Sequence, residues 1–142
     1  MINSIIPLLF VVAAIIVLAV TGNLFSVSPF VIAVQVAAVG LAVWARRSFQ
    51  KGTFRVSAGP AGSSIIRRGP YRFIRHPMYS AALLFVWTAV VSDVSALTLT
   101  ICTSVTVVVV IRVISEERLL HAECPEYGDY TRSTKAMVPF VL

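Results

Sequence analysis

The sequence predicts an all-α integral membrane protein: a bundle of about four spanning helices with a helical extension on the cytoplasmic side. Three observations carry this. The 142-residue chain is 58% hydrophobic and 13% charged, about half the charged content of a soluble domain, and its mean hydropathy is +0.89. Its apolar residues gather into four runs near the ~20 residues that cross a bilayer. Its twelve Lys and Arg residues lie between or at the ends of those runs.

The first run, Ile5 to Thr21, has no basic segment before it and no small-residue cleavage site. It is expected to be a retained helix. The second is Pro29 to Ala45, after the short uncharged link Gly22 to Ser28. The third, Met78 to Val91, reaches spanning length only if the helix starts near Pro77 and takes in Ser92 and Asp93. The fourth, Ala96 to Ile114, is long enough alone and should continue to about Glu123, where Pro125 ends it. The link Ser92-Asp93-Val94-Ser95 makes the last two runs a tight hairpin.

The long link from Arg46 to Arg75 holds eight bases: Arg46, Arg47, Lys51, Arg55, Arg67, Arg68, Arg72 and Arg75. The other four, Arg112, Arg118, Arg132 and Lys135, lie from the end of the fourth run into the tail. Four spans put the long link and the tail on one side, and basic loops stay cytoplasmic. Both termini are then expected inside. The net charge of +6 is thus a topology signal, and no nucleic-acid partner is expected. The whole chain, 1–142, reads as one membrane domain: two helices over 1–45, a motif-bearing link over 46–76, the hairpin over 77–114 and the tail over 115–142. Within the link, Ser57 to Ser64 is small and turn-prone, an ordered loop or a lid. Cys102 and Cys124 have no metal-ligand spacing and are expected to form no disulfide.

The chemistry-bearing stretch is Gly69-Pro70-Tyr71-Arg72-Phe73-Ile74-Arg75-His76-Pro77-Met78-Tyr79, at the mouth of the third run. Proline favours the first helical turn and an extended residue before it, so His76 should cap a helix that starts at Pro77. The free N–H groups at such a helix end suit an anion. Tyr79 falls on the same side as His76 and can offer a ring face to a cation. In the tail, Arg112 shares a helical face with Glu116, and Glu117 with His121. Tyr127, Tyr130, Arg132 and Lys135 follow, then the apolar end Met137 to Leu142. A mouth lined by acids and bases suits a zwitterionic ligand. Each residue alone also has a plain reading, such as a topology anchor, an interface aromatic or a solvated helix end. Their convergence on one face is what the plain readings do not explain.

The combination of Gly69, Pro70, Tyr71, Arg72, Arg75, His76, Pro77 and Tyr79 with Glu116, Glu117, Tyr127, Tyr130 and Pro139 resembles the isoprenylcysteine carboxyl methyltransferase and phospholipid methyltransferase superfamily. The likeness covers about Gly69 to Leu142. It implies a membrane-embedded methyltransferase using S-adenosyl-L-methionine, which would enter from the cytosol, and a lipophilic small-molecule or lipid acceptor from the bilayer. The implied cofactor-binding residues are Tyr71, Arg75, His76, Pro77, Met78, Tyr79, Glu116, Glu117, Tyr127 and Tyr130. A carboxylate acceptor would need a positioning cation, Arg112 or Arg132. An amine or thiol would need a base, Glu117 or His121. The alternatives are an NADPH-dependent membrane reductase of the steroid-reductase type, which shares an Arg-His-Pro-x-Tyr element, and a non-catalytic small membrane protein. Transport is disfavoured because no ionisable residue falls mid-span.

Overall fold

A computed structural model describes residues 2–48 and 65–137. The Ser57 to Ser64 stretch, Lys51, Arg55, Pro139 and the last apolar residues lie outside them. The described residues form five α-helices and no strand: α1 (Ile2–Val20), α2 (Pro29–Ser48), α3 (Pro77–Ser92), α4 (Ala96–Glu123) and α5 (Tyr127–Ser133). A 3-10 turn, Gly69–Arg72, precedes α3.

Helix ends follow from local chemistry. Gly22, at φ +76°, stops α1. The Asn23 and Gly22 N–H groups then close on the Leu18 and Ala19 carbonyls at 2.9 and 3.1 Å, the usual satisfaction of a helix end by a left-handed glycine. Pro29 opens α2, and Arg46 and Arg47 sit in its last turn, where cations meet the negative helix end. Ser95 caps α4 in a reciprocal pair with Thr98. Pro77 opens α3 with His76 at the cap. The third helix takes in Ser92 but not Asp93, whose extended backbone caps it, so it stops at 16 residues, short of spanning length, while α4 does run to Glu123.

The core is a stripe rather than a centre. Ala14 and Leu18 of α1, Val86 and Ala89 of α3, and Cys102, Val105, Val109 and Val113 of α4 pack together. The buried α4 residues recur every three or four positions, one helix face. Outside that stripe large apolar side chains are exposed, among them Leu8, Val36, Val91 and Ile111. Two helices, α2 and α4, are long and apolar enough to cross a membrane, and only 22% and 28% of their most apolar windows are buried. The core helix of a soluble protein would be mostly buried; these two leave most of their apolar surface open. Helices α1 and α3 contribute shorter apolar stretches. At 1.5 Å per residue α4 is about 42 Å long, beyond the ~30 Å hydrocarbon core. Its surplus is the charged end after Ile114.

One polar tie crosses the apolar part. Gln35 Nε2 donates to Leu24 O at 2.7 Å and to Thr88 Oγ1 at 3.0 Å, fixing α2 against α3 and the α1–α2 link. At the other end of α2, Gly69 has φ +58°, and an added Cβ would stand 2.0 Å from Ser48 Oγ and 3.1 Å from Ser48 Cβ. Gly69→Ala is therefore expected to destabilise the fold by about 1–3 kcal/mol, from left-handed strain plus displacement of Ser48. Unfolding of the purified variant checks this. A midpoint equal to that of the native chain would remove the turn from the structural argument.

Candidate functional site

The motif and the tail meet through backbone first. The segment after α5 lies alongside the motif as a parallel bridge, Ile74 to Lys135. Arg75 N–H donates to Lys135 O at 2.8 Å, His76 N–H to Ala136 O at 2.9 Å, and Lys135 N–H to Phe73 O at 3.1 Å. The Ser80 hydroxyl donates to Met137 O. Tyr130 Oη donates to Tyr71 O at 2.6 Å, closing α5 onto the 3-10 turn. These contacts hold the start of α3 in place under the polar end of α4.

Two adjacent glutamates of α4 then reach the motif. Arg75 clamps Glu117 with two bonds, Nε to Oε1 at 2.7 Å and Nη2 to Oε2 at 3.2 Å. Its third nitrogen, Nη1, donates to Thr134 O at 2.5 Å. His76 Nε2 stands 3.2 Å from Glu117 Oε1. Glu116 forms the second half. Its Oε1 accepts from Tyr79 Oη at 3.0 Å and from Arg112 Nη2 at 2.6 Å. The other Glu116 oxygen, Oε2, accepts no hydrogen bond among the described residues and lies 3.7 Å from His76 Nδ1. The His76 and Tyr79 rings are 5.7 Å apart.

The charge states follow from these contacts. Burial lowers the His76 pKa below its ordinary 6.5, and the two carboxylates beside it only partly oppose this. Burial would raise Glu117, but the hydrogen bond and charge of Arg75 outweigh it, and the carboxyl is held below its usual range. An ionised Glu117 can only accept, so the His76 proton sits on Nε2. That leaves Nδ1 as a lone pair facing Glu116 Oε2, two acceptors with no donor between them. Burial pushes Tyr130 up to about 12 and raises Tyr71 and Tyr127 as well, so all three phenols keep their protons. Tyr127 Oη is buried beside Arg75 and Glu117 and makes no hydrogen bond of normal geometry among the described residues.

A pH dependence results. The folded His76 pKa is depressed, so below pH ~6.5 the unfolded chain takes up a proton that the folded chain resists. His76 therefore contributes stability that is present above ~6.5 and lost as pH falls below it. Glu117, also depressed, adds a second loss once pH falls below the ordinary carboxylate range. The unfolding midpoint should drop between pH 7 and 5.5, and His76→Gln should flatten that part of the curve. A midpoint that rises over this interval would mean a charged His76.

The expected site residues separate into groups. Arg75, His76, Tyr79, Arg112, Glu116 and Glu117 come together in one cluster. Tyr127, Tyr130 and Tyr71 are buried beside it. Pro77 is buried and sets the helix start. Met78 is 41% exposed, and no contact joins it to the cluster. Arg132 is also apart: its side chain is 85% exposed and pairs at 3.6 Å with Asp129 on the outer face of α5. His121 is exposed, edge-on to the Tyr127 ring at 4.9 Å. Thr134 and Ser80, which tie the tail to the motif, carry no sequence signal, since a lone hydroxyl residue reads as surface.

No curated protein and no solved structure matches the chain. The phospholipid methyltransferase family model matches residues 27–124, well over half of the chain and including α2, the motif, the hairpin and both glutamates. With the motif and the glutamate pair in one cluster, the chain belongs to the phospholipid methyltransferase family of integral membrane methyltransferases.

Proposed function

We propose that the protein is a multi-pass membrane enzyme that transfers a methyl group from S-adenosylmethionine to a lipophilic acceptor at the cytoplasmic face. The single observation that carries this is the unengaged polar edge of an otherwise satisfied cluster. Glu116 Oε2 and the His76 Nδ1 lone pair face each other, and the buried Tyr127 hydroxyl stands nearby without a hydrogen bond of normal geometry among the described residues. Two acceptors and one donor suit a ligand with an ammonium, hydroxyls and a carboxylate. The N–H groups at the start of α3, those of Met78 and Tyr79, point toward an anion at that helix end. The Tyr79 ring, fixed by its bond to Glu116, can face a cation.

When bound, the cofactor supplies an electrophilic methyl on a sulfonium, open to in-line displacement. The chain's part is to bind, align and exclude water. In this reading Glu116, His76, Tyr79 and Tyr127 touch the cofactor, while Arg75, Glu117, Tyr71 and Tyr130 hold them in position. Glu117 has both oxygens on a guanidinium and a depressed pKa, so it is a poor base and a good anchor. Arg112, the cluster's cation not clamped on Glu117, would orient an acidic acceptor; Arg132, on the outer face, is the less favoured candidate. The family match favours a phospholipid amine over an isoprenylcysteine-like carboxylate as acceptor, and gives no support to the NADPH reductase reading. The two basic segments and the length of α4 support a reading of four spans with both termini cytoplasmic.

The test has two arms. Adenosylmethionine should raise the unfolding temperature of the purified protein and NADPH should not. His76→Ala should weaken cofactor affinity by about tenfold or more, the loss of one buried hydrogen-bonding group. Labelled methyl transfer into a total lipid extract, read by mass spectrometry, identifies the acceptor. Stabilisation by NADPH alone would defeat the proposal.

A further inference from the structure

Behind the carboxylate cluster the same face carries an open groove of about 550 Å³, lined by Arg67, Arg68 and Arg72 together with Tyr130, Ser133 and Thr134. It shares Thr134 with the cluster, whose Arg75 binds Thr134 O, but none of Arg75, His76, Tyr79, Arg112, Glu116 and Glu117 lines it. Arg75, Arg112 and Arg132 each have a carboxylate within ion-pair distance. None of the three groove arginines pairs with a carboxylate among the described residues. Three clustered guanidiniums without an acid repel one another, so the groove is incomplete until an anion enters it.

The groove is also prepared for one. The Arg67 guanidinium lies over the Tyr130 ring at 5.5 Å, and that of Arg72 over the Phe73 ring at 5.1 Å. Stacking on an aromatic face leaves the N–H edge of a guanidinium open to oxygen acceptors. The hydroxyls on the wall are committed elsewhere. Ser133 and Thr134 both donate to Tyr130 O, at 3.0 and 2.6 Å, and Tyr130 donates to Tyr71 O. The side-chain donors left for a ligand are the guanidiniums, a set that suits phosphate oxygens.

Position points to lipid as the source. Phe73 beside the groove is 50% exposed, and Trp44, half-exposed, lies against Gly69 on the groove's rim. Exposed aromatics of this kind mark the headgroup level of a bilayer. A zwitterionic headgroup would bring an ammonium beside three guanidiniums with no described carboxylate to receive it. We infer that the Arg67–Arg68–Arg72 groove binds the phosphate of a net-anionic phospholipid headgroup, as a site separate from methyl transfer. This inference does not rest on the proposed reaction.

The test uses the full chain in phosphatidylcholine nanodiscs with a minor fraction of phosphatidylglycerol, reading retained lipid by native mass spectrometry. Phosphatidylglycerol should be retained over phosphatidylcholine. The triple variant Arg67→Gln, Arg68→Gln, Arg72→Gln should reduce that retention by about tenfold or more, given the attraction of each base to an anionic headgroup. Arg46→Gln with Arg47→Gln removes two charges that do not line the groove and should change it little. If the triple glutamine variant does not fold in phosphatidylcholine alone, the triple lysine variant replaces it; it keeps the charge, loses the planar fork and should still retain less lipid. Equal retention of the two lipids would overturn the inference, as would an equal loss in the Arg46/Arg47 control. Stabilisation by inorganic phosphate matching that by the lipid would assign the groove to a soluble anion instead and also overturn it.

Discussion

Arg75→Ala should be the most damaging single substitution in the polar half of the protein, costing about 2–4 kcal/mol of stability. The guanidinium makes two bonds to Glu117 and one to Thr134 O, and the two side chains are only 11% and 21% exposed. Breaking a fully buried pair costs about 3–5 kcal/mol, because the partner's charge is left without compensation; the partial exposure of Glu117 reduces this. The Thr134 carbonyl also loses its donor, so the tail should loosen from the motif. Arg75→Lys should recover only part, since an ammonium cannot span both carboxylate oxygens and the carbonyl. Denaturant unfolding of the three proteins measures the order. The double variant Arg75→Ala, Glu117→Ala should be less unstable than the sum of the singles, because it leaves no stranded charge. Additive losses would mean that the two groups act independently and that the clamp is not what holds the site.

Glu116→Gln should act chiefly on cofactor binding, with a smaller cost in folding from the Arg112 charge it leaves behind. A glutamine at 116 keeps an acceptor for Tyr79 and Arg112, so the hydrogen-bonding geometry survives while the ion pair with Arg112 is lost. What it removes is the negative charge at the one open oxygen of the cluster. A hydrogen bond to a charged group contributes about 1.5–3 kcal/mol, which is roughly a tenfold to hundredfold loss of adenosylmethionine affinity. Titration calorimetry gives the affinity, and an unfolding loss smaller than that of Arg75→Ala shows the fold intact. Unchanged affinity would move the cofactor away from Glu116 and require another account of its open oxygen.

The contrast between these neighbours shows where reading a sequence stops. Glu116 and Glu117 are identical side chains one residue apart, and helical spacing pairs the first with Arg112 and the second with His121. The first pairing forms, at 2.6 Å. For the second, Arg75, 42 positions away in sequence, takes Glu117 while His121 stays exposed. A partner at that separation leaves no periodic trace. Arg132 is the reverse case. Its charge type suited a positioning role, yet the register of α5 turns it outward to Asp129.

The chain alone determined where helices form, because apolar run length, Pro29, Pro77 and the Ser95 cap act within a few residues of themselves. It also placed His76 and Tyr79 on one side of a helix start, for the same local reason. The tertiary structure decided which carboxylate oxygen stays open, how the tail lies against Phe73 to His76, and that three arginines share a groove with no acid beside them among the described residues. Those outcomes depend on contacts between segments that meet only after the helices pack, and packing is set by the shape of whole faces rather than by any short stretch.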